Sequence, residues 1–119
     1  MTVSAAKTTK KTNRISKTRE LQNVFRFGKA VHAATLVIKF VKNPKEKQSR
    51  TAFVISKKVS KKAVVRNKIR RVMREELRRN LLPGMPIGDY VIMIKPLASK
   101  LENQELRNEI STAARRVRP

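Results

Sequence analysis

Between Ser56 and Arg79 the chain reads SKKVSKKAVVRNKIRRVMREELRR, where eleven Lys and Arg stand against two acids, Glu75 and Glu76. The local charge is +9 in 24 residues. Charge held that close repels itself unless a polyanion compensates it. Spacing matters as much as density. At roughly 100° per residue, Asn67, Arg70, Arg71, Arg74 and Arg78 fall on one arc of a helix, with Arg66 at its margin. Val65, Ile69, Val72, Met73 and Leu77 fall on another arc, and Glu76 intrudes on that apolar side. Such a helix can sit on a sheet while presenting a guanidinium ridge. Side chains three and four apart repeat about every 5–6 Å, a useful match to phosphate spacing. Each guanidinium is a planar fork of donors that fits phosphate oxygens. Asn67 adds an amide able to pair with a base edge or a 2′-hydroxyl. The chemistry on offer is polyanion recognition, and nucleic acid is the natural polyanion.

The rest of the composition points the same way. Thirty Lys and Arg against eight Asp and Glu give 119 residues a net charge of +22. Mixed signs would serve solubility with less self-repulsion. Cysteine is absent, which removes disulfides, thiolate metal ligands and cysteine nucleophiles together. His32 is the only histidine, so neither a multi-histidine metal site nor a two-histidine relay can be built. The acids mostly stand at helical spacing beside Lys or Arg, as ion pairs and solvated faces do, and no carboxylate pair suits two-metal hydrolysis. The protein alone reads as a binder, whatever reaction it serves. No apolar signal region or membrane-length run is present, so a cytoplasmic protein without a membrane partner is expected. Phe25, Phe27, Phe40, Phe53 and Tyr90 are the only aromatics, too few for a platform that stacks every base of a single strand. Phe25 can stack one base or pack a helix on a sheet. Charge alone leaves open a ribosomal or assembly protein, an RNA chaperone, and a DNA-binding protein whose 64–81 helix enters a major groove.

The elements that must position the ridge follow from periodicity. Residues 1–13 are rich in Lys, Thr and Ala and read as a disordered basic tail ahead of one domain over 14–119. Ser16 suits a helix cap. Leu21, Val24 and Phe25 form one apolar helical face, and Gly28 suits a stop. Residues 34–42, ATLVIKFVK, and 50–57, RTAFVISK, read as strands joined by the polar turn 43–49 into an antiparallel hairpin. The helix 64–81 ends before Pro83, Gly84, Pro86 and Gly88. Residues 89–95, DYVIMIK, are almost continuously apolar and suit an internal strand. A last helix over 103–116 places Leu106, Ile110, Ala113, Ala114 and Val117 at core spacing. One sheet with helices packed against it is the economical α+β solution.

The run KKVSKKAVVRNKIRRVMRE resembles the signature of the bacterial ribonuclease P protein subunit family. Ser56-Lys57-Lys58 stands where that family has its basic segment, and Arg66-Asn67-Lys68-Ile69-Arg70-Arg71-Val72-Met73-Arg74 where it has R-N-[RK]-[IL]-[KR]-R-x-x-R. The Arg19–Phe25 stretch before Gly28-Lys29 and the Asp89–Lys95 strand resemble its flanking patterns, so the likeness covers roughly residues 14–117. The resemblance implies an αβββαβα fold like the second domain of ribosomal protein S5, with a left-handed βαβ crossover and an extra short strand near 28–32. It implies a 1:1 complex with a large catalytic RNA that removes 5′ leaders from precursor tRNA, the RNA holding the magnesium ions and the protein alone being inactive. By position, Arg66, Asn67, Lys68, Arg70, Arg71 and Arg74 would face the catalytic RNA. Lys57, Lys58, Lys62 and Lys95 would contact phosphates of that RNA or the leader, and Leu21, Phe25, Val37 and Lys39 would line a leader cleft. The family often carries aromatics where Leu21 and Lys39 stand. Leu21 packs but cannot stack, and Lys39 trades stacking for phosphate attraction.

Overall fold

The computed structural model describes residues 15, 18–42 and 48–117. The expected tail over 1–13 and the cap at Ser16 lie outside them. Helix α1 spans Thr18–Phe27, followed by β1 (Lys29–His32), β2 (Leu36–Lys42), β3 (Arg50–Val54), α2 (Ala63–Glu76), β4 (Gly88–Ile94) and α3 (Asn103–Arg115). This is the αβββαβα order of an α+β domain. A wide π turn, Leu77–Leu81, continues α2 before the chain breaks at Leu82–Gly84. Glu76, which intruded on the apolar arc, is half-buried there, and its Oε1 accepts a bond from Asn80 Nδ2 at 3.1 Å.

Among the described residues the strands form one sheet in the order β1-β2-β4-β3. The expected β2–β3 hairpin is therefore wrong. Strand β4 lies between the two, antiparallel to β2 with Ile38 opposite Ile92, and parallel to β3 with Phe53 opposite Ile92. A polar turn suggested adjacency, but burial decides the order. Tyr90, Val91 and Ile92 are completely buried, and a strand apolar on both sides belongs in the interior of a covered sheet. The short β1, opposite Lys29 to Phe40 and His32 to Val37, is the extra strand that periodicity alone missed. Its four residues KAVH are mostly exposed, so it carries no alternating apolar signal.

The two sheet faces are unequal. Leu36, Ile38, Phe40, Tyr90, Ile92 and Ile94 pack with Ile69, Val72, Met73 and Leu77 of the α2 arc and with Leu106, Ile110, Ala113 and Ala114 of α3. The opposite face carries only a small cluster, in which Val24 of α1 meets Val91 and Ile15 beside Leu21, Val41, Ala52 and Met93. Helix α1 stops where the chain must pass close to β2. A Cβ on Gly28 would lie 2.4 Å from the Val24 carbonyl oxygen, so only glycine fits.

Polar links compensate for the thin α1 contact. Arg50 Nε and Nη2 donate to Asp89 Oδ1 and Oδ2 at 3.0 and 2.8 Å, and Arg50 Nη1 donates to Glu20 Oε2 at 2.6 Å. One guanidinium thus ties β3 to β4 and both to the first turn of α1. Its two partners hold the Arg50 pKa above its already high ordinary value, with the Asp89 bonds the larger cause. On the other face the buried Tyr90 ring stacks on Phe40, centroids 4.7 Å apart, and its hydroxyl donates to the Pro86 carbonyl. Burial pushes the Tyr90 phenol well above the usual tyrosine range. Tyr90→Phe is expected to cost about 1 kcal/mol by removing that one bond, read as a lower urea midpoint with unchanged slope. An unchanged midpoint would show that the bond contributes nothing.

Candidate nucleic-acid interface

The loop before α2 is built to expose lysine. Val59 is buried in the main core and pins the loop at its middle. The Ser56 side chain accepts the Lys58 amide at 3.2 Å, and the Ser60 side chain accepts the Lys62 amide at 3.2 Å. With the valine inward and the serines turned to backbone, Lys57, Lys58, Lys61 and Lys62 project to solvent. Helix α2 starts directly after them, with no side-chain cap at Lys62 and no acid in its first turn. Its positive helix end therefore adds to the lysine field rather than being neutralised.

Along α2 the apolar arc is held down as expected: Ile69, Val72, Met73 and Leu77 are buried. The opposite arc gathers Asn67, Arg70, Arg71, Arg74 and Arg78 around a shallow concavity, with Glu75 the single acid on its wall. Arg70 Nη1 donates to Asn67 Oδ1 at 2.9 Å, which fixes the amide and leaves its NH₂ pointing elsewhere. Arg74 lies over the Phe53 ring, 5.8 Å from the centroid, so its fork is braced on the sheet. Preorganised forks lose less freedom when an anion arrives.

Two of the residues expected to face the catalytic RNA stand apart from the ridge. Arg66 turns back, its Nη1 donating to the Ser60 carbonyl at 2.7 Å, and braces the lysine loop. Lys68 borders a different surface hollow, beside Lys100 and Arg107 near the start of α3. Lys95 is half-buried at the end of β4, where its Nζ donates to the Ala33 carbonyl at 2.7 Å. Two further side chains belong to the site: Arg78, already on the predicted arc but not among the expected RNA contacts, and Phe53. Arg78 continues the four-residue spacing from Arg74, a signal present in the sequence. Phe53 needed the β3 register to be seen beneath Arg74.

The residues expected to line a cleft lie on the other side of the sheet. Leu21 packs under α1 in the small cluster. Phe25 at the end of α1 is 38% exposed. Lys39 reaches it from β2: its Nζ donates to the Phe25 carbonyl at 3.2 Å and lies 5.5 Å from the ring centroid. Val37 shares the Lys39 face by strand alternation but is buried, so it offers little surface.

The carboxylates have other duties. Glu20 and Asp89 converge on Arg50, while Glu102 and Glu105 close a capping box at the start of α3. Among the described residues no three of His, Asp or Glu gather where they can hold a metal ion, and no helix is long and apolar enough to cross a membrane.

A family model for Ribonuclease P matches residues 9–118. The chain belongs to the ribonuclease P protein family. The ribonuclease P protein component of Geobacillus thermodenitrificans is 33% identical over 111 residues, which span 91% of this chain and 88% of that one. That of Xanthomonas campestris is 39% identical over 72 residues, 60% of this chain, and the aligned stretch spans about half, 48%, of the relative's length. The solved structure of a Staphylococcus aureus RNase P protein mutant with defective mRNA degradation activity has a TM-score of 0.90 at 22% identity, covering 97% of this chain and 96% of that one. That likeness establishes the shared fold. In this member of the ribonuclease P protein family, Lys39 is seated on Phe25, one of two exposed aromatics of α1 beside Phe27.

Proposed function

We propose that this chain is the protein subunit of the ribonuclease P ribonucleoprotein in the cytoplasm, docking on the catalytic RNA through α2 and holding the 5′ leader of precursor tRNA on the α1 side of the sheet. The observation that carries this reading is the ridge of Asn67, Arg70, Arg71, Arg74 and Arg78, seated on a buried apolar arc and preceded by the exposed lysine loop. A folded RNA is the polyanion that meets all of it at once. The α1 face offers a lysine and an exposed ring, Lys39 and Phe25, and suits a single strand rather than a helix.

Metal-dependent hydrolysis of the leader belongs to the RNA in this reading. The described acids do not fit a magnesium site, because those that converge are already taken by Arg50 and by the α3 cap. What the chain contributes is positive charge near the RNA and grip on the substrate. It thereby lowers the concentration of free divalent cation needed for folding and substrate binding.

The test is cleavage of precursor tRNA by the catalytic RNA across a magnesium titration, with and without the full chain. The expected result is no cleavage by the chain alone and a shift of the RNA's magnesium midpoint to lower concentration when the chain is added. The same midpoint with and without protein would contradict the proposal. Duplex DNA outcompeting structured RNA for the chain would favour a DNA-binding role instead.

A further inference from the structure

Lys39 stands in the middle of β2 on the α1 side of the sheet, opposite Ala30 on β1 and Val91 on β4. Neither neighbour is charged. Among the described residues Lys39 has no carboxylate partner. Among those residues its ammonium has one hydrogen bond, to the Phe25 carbonyl at the end of α1, and a ring 5.5 Å away. A helix-end carbonyl and a ring face compensate a full charge only in part. Two N–H donors remain for another acceptor. The floor beside it, Val91 and Val24, is completely buried and apolar, and low-dielectric walls strengthen the pull on an anion.

The same arrangement changes what Phe25 can do. An open phenylalanine ring stacks a base with a gain of roughly 5- to 150-fold in affinity. Here the ammonium already sits over the ring. A base can use that face only by displacing the cation, whereas a phosphate joins the cation without displacing anything.

We infer that the α1 cleft of this chain holds the leader at this point by a phosphate on Lys39, the Lys39–Phe25 pair standing in place of a base stack, so that binding there is indifferent to the base. The inference rests on the reading of the cleft as the leader site. Lys39 is a specificity-determining residue in that sense: it removes a base preference that an aromatic in its place would create.

The experiment uses holoenzyme reconstituted from the full chain and catalytic RNA. Affinities are measured for mature tRNA and for precursor tRNAs carrying one abasic nucleotide at each leader position in turn, between 50 and 200 mM salt, roughly the range over which phosphate contacts register. The intact precursor is expected to bind more tightly than mature tRNA, and no abasic position is expected to cost the wild-type holoenzyme more than about threefold. Lys39→Gln keeps a donor for the Phe25 carbonyl but removes the charge. It should lower the precursor's salt slope by about 0.7 and leave the mature tRNA's slope unchanged. Lys39→Tyr should acquire one leader position at which base removal costs fivefold or more. A wild-type position already costing fivefold, or an unchanged slope in Lys39→Gln, overturns the inference while leaving the cleft reading intact. Equal affinity for precursor and mature tRNA overturns both.

Discussion

Replacing Arg70 and Arg71 together with alanine is expected to weaken binding to the catalytic RNA about 100-fold while leaving the thermal midpoint within a few degrees of wild type. Hydrogen bonds to charged groups contribute about 1.5–3 kcal/mol each, so two lost phosphate contacts amount to about 3 kcal/mol or more. Arg71 is exposed, Arg70 is half-buried, and neither belongs to the apolar arc that holds α2 to the sheet. The diagnostic readout is the salt slope, which should fall by about one for each phosphate released. Arg70 carries an additional consequence. Its bond to Asn67 Oδ1 is lost in the variant, so the amide is freed to rotate. Arg70→Ala alone is therefore expected to cost more than Arg71→Ala alone. Unchanged affinity and slope in the double variant would assign this arc to a solvated face and remove the basis for α2 docking.

The second large effect is on stability. Arg50→Ala is expected to destabilise the fold by about 3 kcal/mol, roughly 15 °C in thermal midpoint for a domain of this size. Side chains of Arg50 and Asp89 are only 12% and 6% exposed, so truncation leaves a buried carboxylate without its fork. Glu20 is 29% exposed and partly solvated, and Glu20→Gln should cost about 1 kcal/mol or less. Arg50→Lys keeps the charge but not the two parallel bonds and should fall between them. Removing both buried charges, as Arg50→Met with Asp89→Leu, should recover part of the loss, because the only ion left without its partner is then the partly solvated Glu20. A loss below about 1 kcal/mol in Arg50→Ala would mean that water already reaches the pair.

These two arginine groups also show where sequence reading succeeds and where it stops. The ridge on α2 was legible because it is local: residues three and four apart on one helix share a face whatever the tertiary structure does. Its apolar arc, the α3 core positions and the apolar character of β4 were legible for the same reason. The Arg50–Asp89–Glu20 link was not, since it joins three elements through a parallel register that no periodicity encodes. The mistaken β2–β3 hairpin came from the same limit. A turn between two strands says that they are near, but the burial demand of β4 inserts it between them. Strand β1 was missed because its residues are exposed and lack alternation, and only the family resemblance pointed to it. The Lys39–Phe25 contact combines both cases. Each residue was noted singly, but their meeting depends on α1 lying across β2, which is a tertiary fact.

The absence of cysteine from the chain makes a direct test of the docking geometry simple. A single cysteine is introduced at Glu75, on the wall of the α2 concavity, or at Val54, exposed at the end of β3 on the α1 side it shares with Ala52 and Met93, and a tethered hydroxyl-radical source is attached to each. In the holoenzyme with precursor tRNA, the Glu75→Cys probe is predicted to cut the catalytic RNA and spare the leader, and the Val54→Cys probe to cut the leader. Cleavage of the leader from position 75, or no cleavage of the catalytic RNA from it, would contradict the assignment of α2 as the RNA-docking face.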